Sequence, residues 1–345
     1  MNKLLRKLTI SVLAVVFAVI AMGATTYAWF TVTGEVSVDE VSANVTMDSG
    51  IYISVDGVTW DSKLDSNDLK QDGAVTGTGS LIALTSEDGT TFNEVRQIAL
   101  GSGENAEKYL STYGGDITNG AGYRIITFYV RSVNYQNLYL FKDQTALTGT
   151  SVTWNSDVPF SNNGTAVAAG GSVTTNVANA ARFAINSNSL TEWNTNAKQS
   201  TYGGETITTI YENAAADTNT TGYGLNGVES GALNYYLTKN SIDRANYNAT
   251  KADGSVIESP TTIKLPSVLN SVVVKLSEGT STKAADGYYY AKVVVTVWLE
   301  GWDSECFNSI LSVDVNRDQQ LTTGSGDIIR SLSLKVGFTA TLPEA

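Results

Sequence analysis

Tyr288-Tyr289-Tyr290-Ala291-Lys292-Val293-Val294-Val295-Thr296-Val297-Trp298-Leu299 is the stretch on which the fold class turns. From Val293 to Leu299 apolar residues occupy both phases of a two-residue period, so a strand here is covered on both faces and belongs in the middle of a sheet. The residue types agree, because Val, Tyr and Trp suit a pleated, buried surface. Working outward, Ile51 to Val55, Tyr123 to Val133, Leu138 to Phe141 and Val272 to Leu276 are equally rich in Val, Ile, Tyr and Phe. Leu332, Leu334, Val336, Phe338, Ala340 and Leu342 alternate with small or polar residues without error, which marks a strand with one wet face.

Near the other end Phe30, Val32, Val36 and Val38 alternate with polar residues, and past Glu40 the phase shifts to Val41, Ala43, Val45 and Met47. Asp-Gly pairs at Asp56-Gly57, Asp72-Gly73, Asp88-Gly89, Asp253-Gly254 and Asp286-Gly287 supply the positive φ of tight hairpin turns. Helix signals are confined to Glu104 to Tyr113 and Ala232 to Leu237. The expected fold is therefore all-β with few short helices, and no internal repeat stands out. Residues 142–260 change texture to Asn, Thr, Gly, Ser and Ala around Trp154, Phe160, Phe183, Ile185 and Trp193, and read as a long polar insertion or a small β-lobe.

The chain opens with Lys3, Arg6 and Lys7, an uncharged stretch from Leu8 to Met22, and then small residues. That order is an export signal. Thr26-Tyr27-Ala28 fits the small-x-small rule, so cleavage is expected after Ala28, leaving residues 29–345 as one domain. The alternative is an uncleaved anchor extended by Trp29 and Phe30. Residues 1–28 hold three basic and no acidic groups, so their removal takes the formal charge from −12 to −15. No Lys or Arg cluster opposes that charge, which argues against nucleic acid as a partner. A membrane is expected as a partner only before cleavage. Leu342-Pro343-Glu344-Ala345 reads as an ordinary terminus, with no hydrophobic tail and basic end after it.

Histidine is absent and Cys306 is the only cysteine, so the usual general base of Ser and Cys hydrolases and the preferred zinc ligands are missing. No catalytic residue is assigned, and no enzyme is expected. Glu300-Gly301-Trp302-Asp303-Ser304-Glu305 has two readings: a metal or sugar site flanked by Trp298 and Trp302, or a strand end turned by Gly301 and Asp303. The second is favoured because turn preferences alone explain it. Asp314, Asn316 and Asp318 alternate as at the opening of a calcium loop, but Gln319 stands where that loop needs Gly and Ser325 where it needs Glu. A Ca2+ site and a solvated loop are the two readings there, and no other cofactor is expected.

Two stretches carry a family resemblance. Ala24-Thr25-Thr26-Tyr27-Ala28-Trp29-Phe30-Thr31 resembles the export signals of the TasA and camelysin group, secreted proteins with a SipW-type signal peptide cut by a dedicated signal peptidase. Val32 and Thr33 follow where that group more usually has an acid. Trp298, Glu300, Gly301, Asp303 and Cys306 lie in a stretch similar to the W-x-E-G-x-D-x-x-C strand and turn of related proteins. The resemblance implies a jelly-roll-like antiparallel β-sandwich, secreted to the cell surface or biofilm matrix. It implies a homopolymeric fibre in which the cleaved N-terminal segment adds to a neighbour's sheet, alongside other matrix proteins or polysaccharide. Trp29, Phe30, Val32, Val36 and Val38 are then the donor-strand residues. The same strand pairing within its own chain is the equal alternative. The rival function is a surface adhesin or carbohydrate-binding β-sandwich that meets sugar rings with Trp154, Trp193 or Tyr residues of the insertion.

Overall fold

The computed structural model describes residues 38–47, 50–71, 74–77, 81–95, 108–112, 122–190, 202–216, 230–239, 249–251, 262–265, 271–276, 284, 286–307, 320–321 and 330–340. The signal segment, Trp29, Phe30, Val32, Val36, Trp193, the calcium-like residues Asp314, Asn316 and Asp318, and the Asp72 and Asp253 turns lie outside them.

The stretch quoted first forms the strand Tyr289–Glu300 at the heart of the larger sheet. It pairs antiparallel with Arg124–Ser132 on one side and with Ala181–Leu190 on the other. Ile51–Ser54 and Val75–Thr76 extend the first flank, and Tyr202–Asn213 followed by Thr262–Leu265 extend the second. A second sheet runs in the order Val272–Lys275, Asn137–Leu140, Arg330–Thr339, Val38–Met47 and Lys63–Leu64. Inward residues of both sheets form one core: Ala291, Val293, Val295, Val297 and Leu299 from the central strand meet Leu332, Leu334, Val336 and Phe338 from the closing strand. Phe128 and Phe338 touch edge to face across it, with ring centroids 6.1 Å apart. This is an all-β sandwich, built as expected from period-two strands.

Four features differ from the sequence reading. The sheets are mixed rather than purely antiparallel, since Val38–Met47 runs parallel to Arg330–Thr339, and Tyr202–Asn213 parallel to Thr262–Leu265. The stretch 142–260 is not set apart, because Ala181–Leu190 within it pairs with the central strand along all ten residues. Its Ala, Asn and Ser content hid a central strand whose Phe183 and Ile185 are fully buried. Trp154, read as a sugar platform, is also fully buried, packed against Phe160, Tyr235 and Phe307. Within Glu104 to Tyr113, read as a helix, Lys108–Thr112 is a strand; the second helix signal is met by Gly231–Lys239.

The phase shift seen past Glu40 has a physical cause. The ladder pairs Val38 with Arg330 and then Glu40 with Ser331, so Asp39 is an extra residue, and a bulge turns the following side chains to the opposite phase. Ala43 and Val45 thereby reach the core.

A local repeat also emerges. Ser54-Val55-Asp56-Gly57-Val58-Thr59-Trp60 and Ser86-Glu87-Asp88-Gly89-Thr90-Thr91-Phe92 fold into the same turn. In each, the Gly N–H donates to the Ser hydroxyl at 2.7 and 2.8 Å, and the two following N–H groups donate to one Asp oxygen at 2.6 to 2.8 Å. The Thr hydroxyl donates to the other Asp oxygen at 3.1 and 2.9 Å. Gly57 and Gly89 hold φ of 74° and 70°, as the paired Asp-Gly reading requires. Each turn lays its aromatic residue on the outer face of the large sheet, Trp60 near Tyr290 at one end and Phe92 near Trp298 at the other.

Candidate functional site

The residues of the W-x-E-G-x-D-x-x-C stretch converge at the end of the central strand. Glu300 is the last strand residue, held beside Ala83–Thr85 by parallel pairing, and the Gly301 N–H donates to the Leu84 carbonyl at 2.8 Å. The chain then turns through Gly301–Glu305, with the Asp303 N–H donating to the Glu300 carbonyl and the Cys306 N–H to the Asp303 carbonyl. The favoured reading of Gly301 and Asp303 as a strand-end turn is what the backbone does. The acids are not on the surface, however: Glu300, Asp303 and the motif's Trp298, Trp302 and Cys306 are all buried.

What holds those acids is a residue that the sequence reading missed. Arg182, fully buried on Ala181–Leu190, donates from Nη2 to Asp303 Oδ2 at 2.7 Å, and from Nη1 to the carbonyls of Asn179 and Ala181. Its Nε lies 3.0 Å from Glu212 Oε2, an ion pair by proximity rather than an aligned hydrogen bond. Cross-strand register explains the meeting, since Arg182 stands opposite Trp298 on one side and Glu212 on the other. The available signal was a lone Arg in the apolar run Ala180-Ala181-Arg182-Phe183-Ala184-Ile185; a charge there must find a buried partner.

Glu300 accepts from the Trp298 indole N–H at 3.2 Å and from the Trp302 N–H at 3.3 Å. Burial pushes its carboxyl up to about 7, opposed by the Arg182 charge and the nearby Thr85 hydroxyl. Burial likewise raises Glu212 against the pull of Arg182, and it drives the Cys306 thiol well above its usual range. Asp303 Oδ1 accepts from the Glu305 N–H at 2.8 Å, and Glu305 in turn accepts from the Asn179 side chain at 2.9 Å. The Ser304 carbonyl accepts from the Ala232 N–H at 2.7 Å, anchoring the helix Gly231–Lys239. A side chain at Gly231 would collide with the Ser304 backbone.

The motif is thus a buried lock between the central strand, two neighbouring strands and a helix. Among the described residues no group of His, Cys, Asp and Glu is arranged to hold a metal ion. Of the donor-strand residues only Val38 is described: it opens the strand Val38–Met47 and pairs within its own chain. Comparison of the chain with family models, curated proteins and solved structures finds no match.

Proposed function

We propose that this protein is a secreted structural subunit of a cell-surface or matrix fibre, assembled head to tail by exchange of its leading strand, with no enzymatic role. The jelly-roll path, the release by signal peptidase after Ala28 and the extracellular setting belong to the same proposal. One observation carries the assembly. Val38–Met47 lies parallel along Arg330–Thr339 from Val38 opposite Arg330 to Met47 opposite Phe338, whereas its other edge is paired only near its end, at Val45 and Thr46 with the Met47 N–H donating to the Ser62 carbonyl at 2.8 Å, apart from the Ser66 hydroxyl on the Ala43 carbonyl. The strand is therefore held by one long ladder and one short one. Lifting it out would leave the closing strand's edge unpaired and Ala43 and Val45 without their core. The same strand of a second copy fits that vacancy with identical hydrogen bonds and side chains. Because donor and acceptor surfaces differ, repetition is open-ended and gives a filament. Residues 29–37, which hold the other donor-strand residues, precede this strand.

Ser42 and Ser333 test the exchange, since their hydroxyls are 2.9 Å apart across the ladder. The variants Ser42→Cys and Ser333→Cys, made separately, mixed, assembled and oxidised, should yield covalent dimers containing one of each. A double variant that closes only on itself, while filaments form as usual by electron microscopy, would defeat the proposal.

A further inference from the structure

The outer face of the large sheet carries a second surface feature, independent of strand exchange. Cross-strand register places Tyr52, Arg131, Tyr290 and Leu190 in one row. The next row holds Tyr129, Lys292, Asn188 and Thr206, and the one after it Thr127, Val294, Asn186 and Thr208. The first row is an aromatic bank: the Arg131 guanidinium lies 4.3 Å from the ring centres of both Trp60 and Tyr288, and Tyr52 is 38% exposed. Beside Tyr129 and Val294, the Asn and Thr half of the two following rows forms a polar floor, where the Asn186 and Asn188 amides donate to Thr208 and Thr206 at 2.9 and 3.3 Å. Beyond them the Asp88 turn rises, and a recess of about 490 Å³ opens between Asp88, Thr90, Asn186, Thr206 and Thr208. Asn188 Oδ1 and Arg131 Nε, both buried atoms on this face, have no hydrogen-bond partner among the described residues.

The chemistry of the face selects a ligand class. Arg131 and Lys292 are offset by Glu87, Asp88 and Asp286, so no field of one sign is present to capture a polyanion or a polycation. A floor of amides and hydroxyls is unsuited to an apolar helix, but it offers donors and acceptors at strand spacing to a partner rich in hydroxyl groups. Tyr and Trp at its border present flat, amphipathic faces suited to packing against a ring. From Tyr290 to Val294 the strand advances about 13 Å, at roughly 3.3 Å per residue, enough for more than one sugar ring. We propose that this face, from the Trp60–Tyr288 bank to the recess beside Asp88, binds a neutral polysaccharide chain lying along the strands.

The test is affinity electrophoresis of the mature full-length protein in native gels containing hydroxyethyl cellulose, laminarin or, as the anionic comparator, alginate. Wild type should be retarded by at least one of the two neutral glucans and not by alginate. Asn186→Ala with Thr208→Ala, and separately Tyr52→Ala, should weaken the retardation roughly tenfold, the scale of one or two lost hydrogen bonds or a lost ring contact. Mobility in polysaccharide-free gel and an unchanged melting temperature check that the variants are folded. No retardation in either neutral glucan, retardation by alginate alone, or variants retarded like wild type would each overturn the proposal. Filament formation by the same variants reads out assembly separately, so the two readings fail independently.

Discussion

Glu300 sits in full burial with its carboxylate facing the Trp298 indole N–H and the Trp302 amide, and burial pushes its carboxyl up to about 7 against an ordinary value of 4.5. The unfolded chain therefore loses this proton first as pH rises. Between about 4.5 and 7 the folded state binds more protons than the unfolded one, so stability declines with rising pH across that window and levels off above it. For a shift of this size the loss is about 3 kcal/mol. Glu212, also raised by burial, adds to the decline with the same sign. Asp56 and Asp88 act oppositely: burial raises them, but the N–H donors of their turns outweigh it and hold both below 3.8, so their contribution is lost only as pH falls through that lower range. Urea midpoints measured from pH 5 to 8 should fall with pH in wild type and fall less steeply in Glu300→Gln. An identical slope in the variant would mean that another group titrates there.

At the scale of elements, the Asp-Gly turns differ in what surrounds them. Gly287 has a φ of 85° with nothing within 4 Å of an added Cβ, whereas Gly89, at 70°, would place its Cβ 2.5 Å from that of Ala184. Gly287→Ala should thus cost about 1 kcal/mol through backbone strain alone. Gly89→Ala adds an overpacked contact, for a total of roughly 2–4 kcal/mol. Equal losses in chemical denaturation would show that Ala184 yields freely. These turns, the closing strand and the both-phase central strand were legible from sequence because each follows from a local preference. Ala181–Leu190 was not, since its small and amide residues are stabilised by neighbours distant in the chain. The paired turns were visible as Asp-Gly and hidden as a repeat, because Ser at the start and Thr and the aromatic at the end acquire meaning only once their bonds to the Asp are seen. The motif from Trp298 to Cys306 could be recognised as a unit. Its purpose could not, as Arg182 is more than a hundred positions away and joins it through strand register.

For the whole molecule, the two faces of the large sheet differ in what they pack against. The inner faces hold one continuous apolar core, and the leading strand joins the smaller sheet by a long ladder to Arg330–Thr339 and a short one to Lys63–Leu64. A chain beginning at Ile51 should lack that closure, and a synthetic peptide spanning residues 29–47 should bind it one to one and raise its melting temperature. If the shortened chain is as stable as one beginning at Trp29 and ignores the peptide, the leading strand is not the element that completes the fold. Such complementation in trans would mimic, between peptide and chain, the exchange proposed between subunits.

Ser42 and Ser333 meet although 291 positions separate them along the chain. A contact of such range is closed late, because the loop entropy it costs is offset only after the intervening structure has formed. On a chain that emerges from its amino end, the strand Val38–Met47 must wait for Arg330–Thr339 to appear. Throughout that interval the waiting arm lacks its own partner, and under the strand exchange proposed above the order of synthesis itself would set the time in which one molecule could be threaded onto the next.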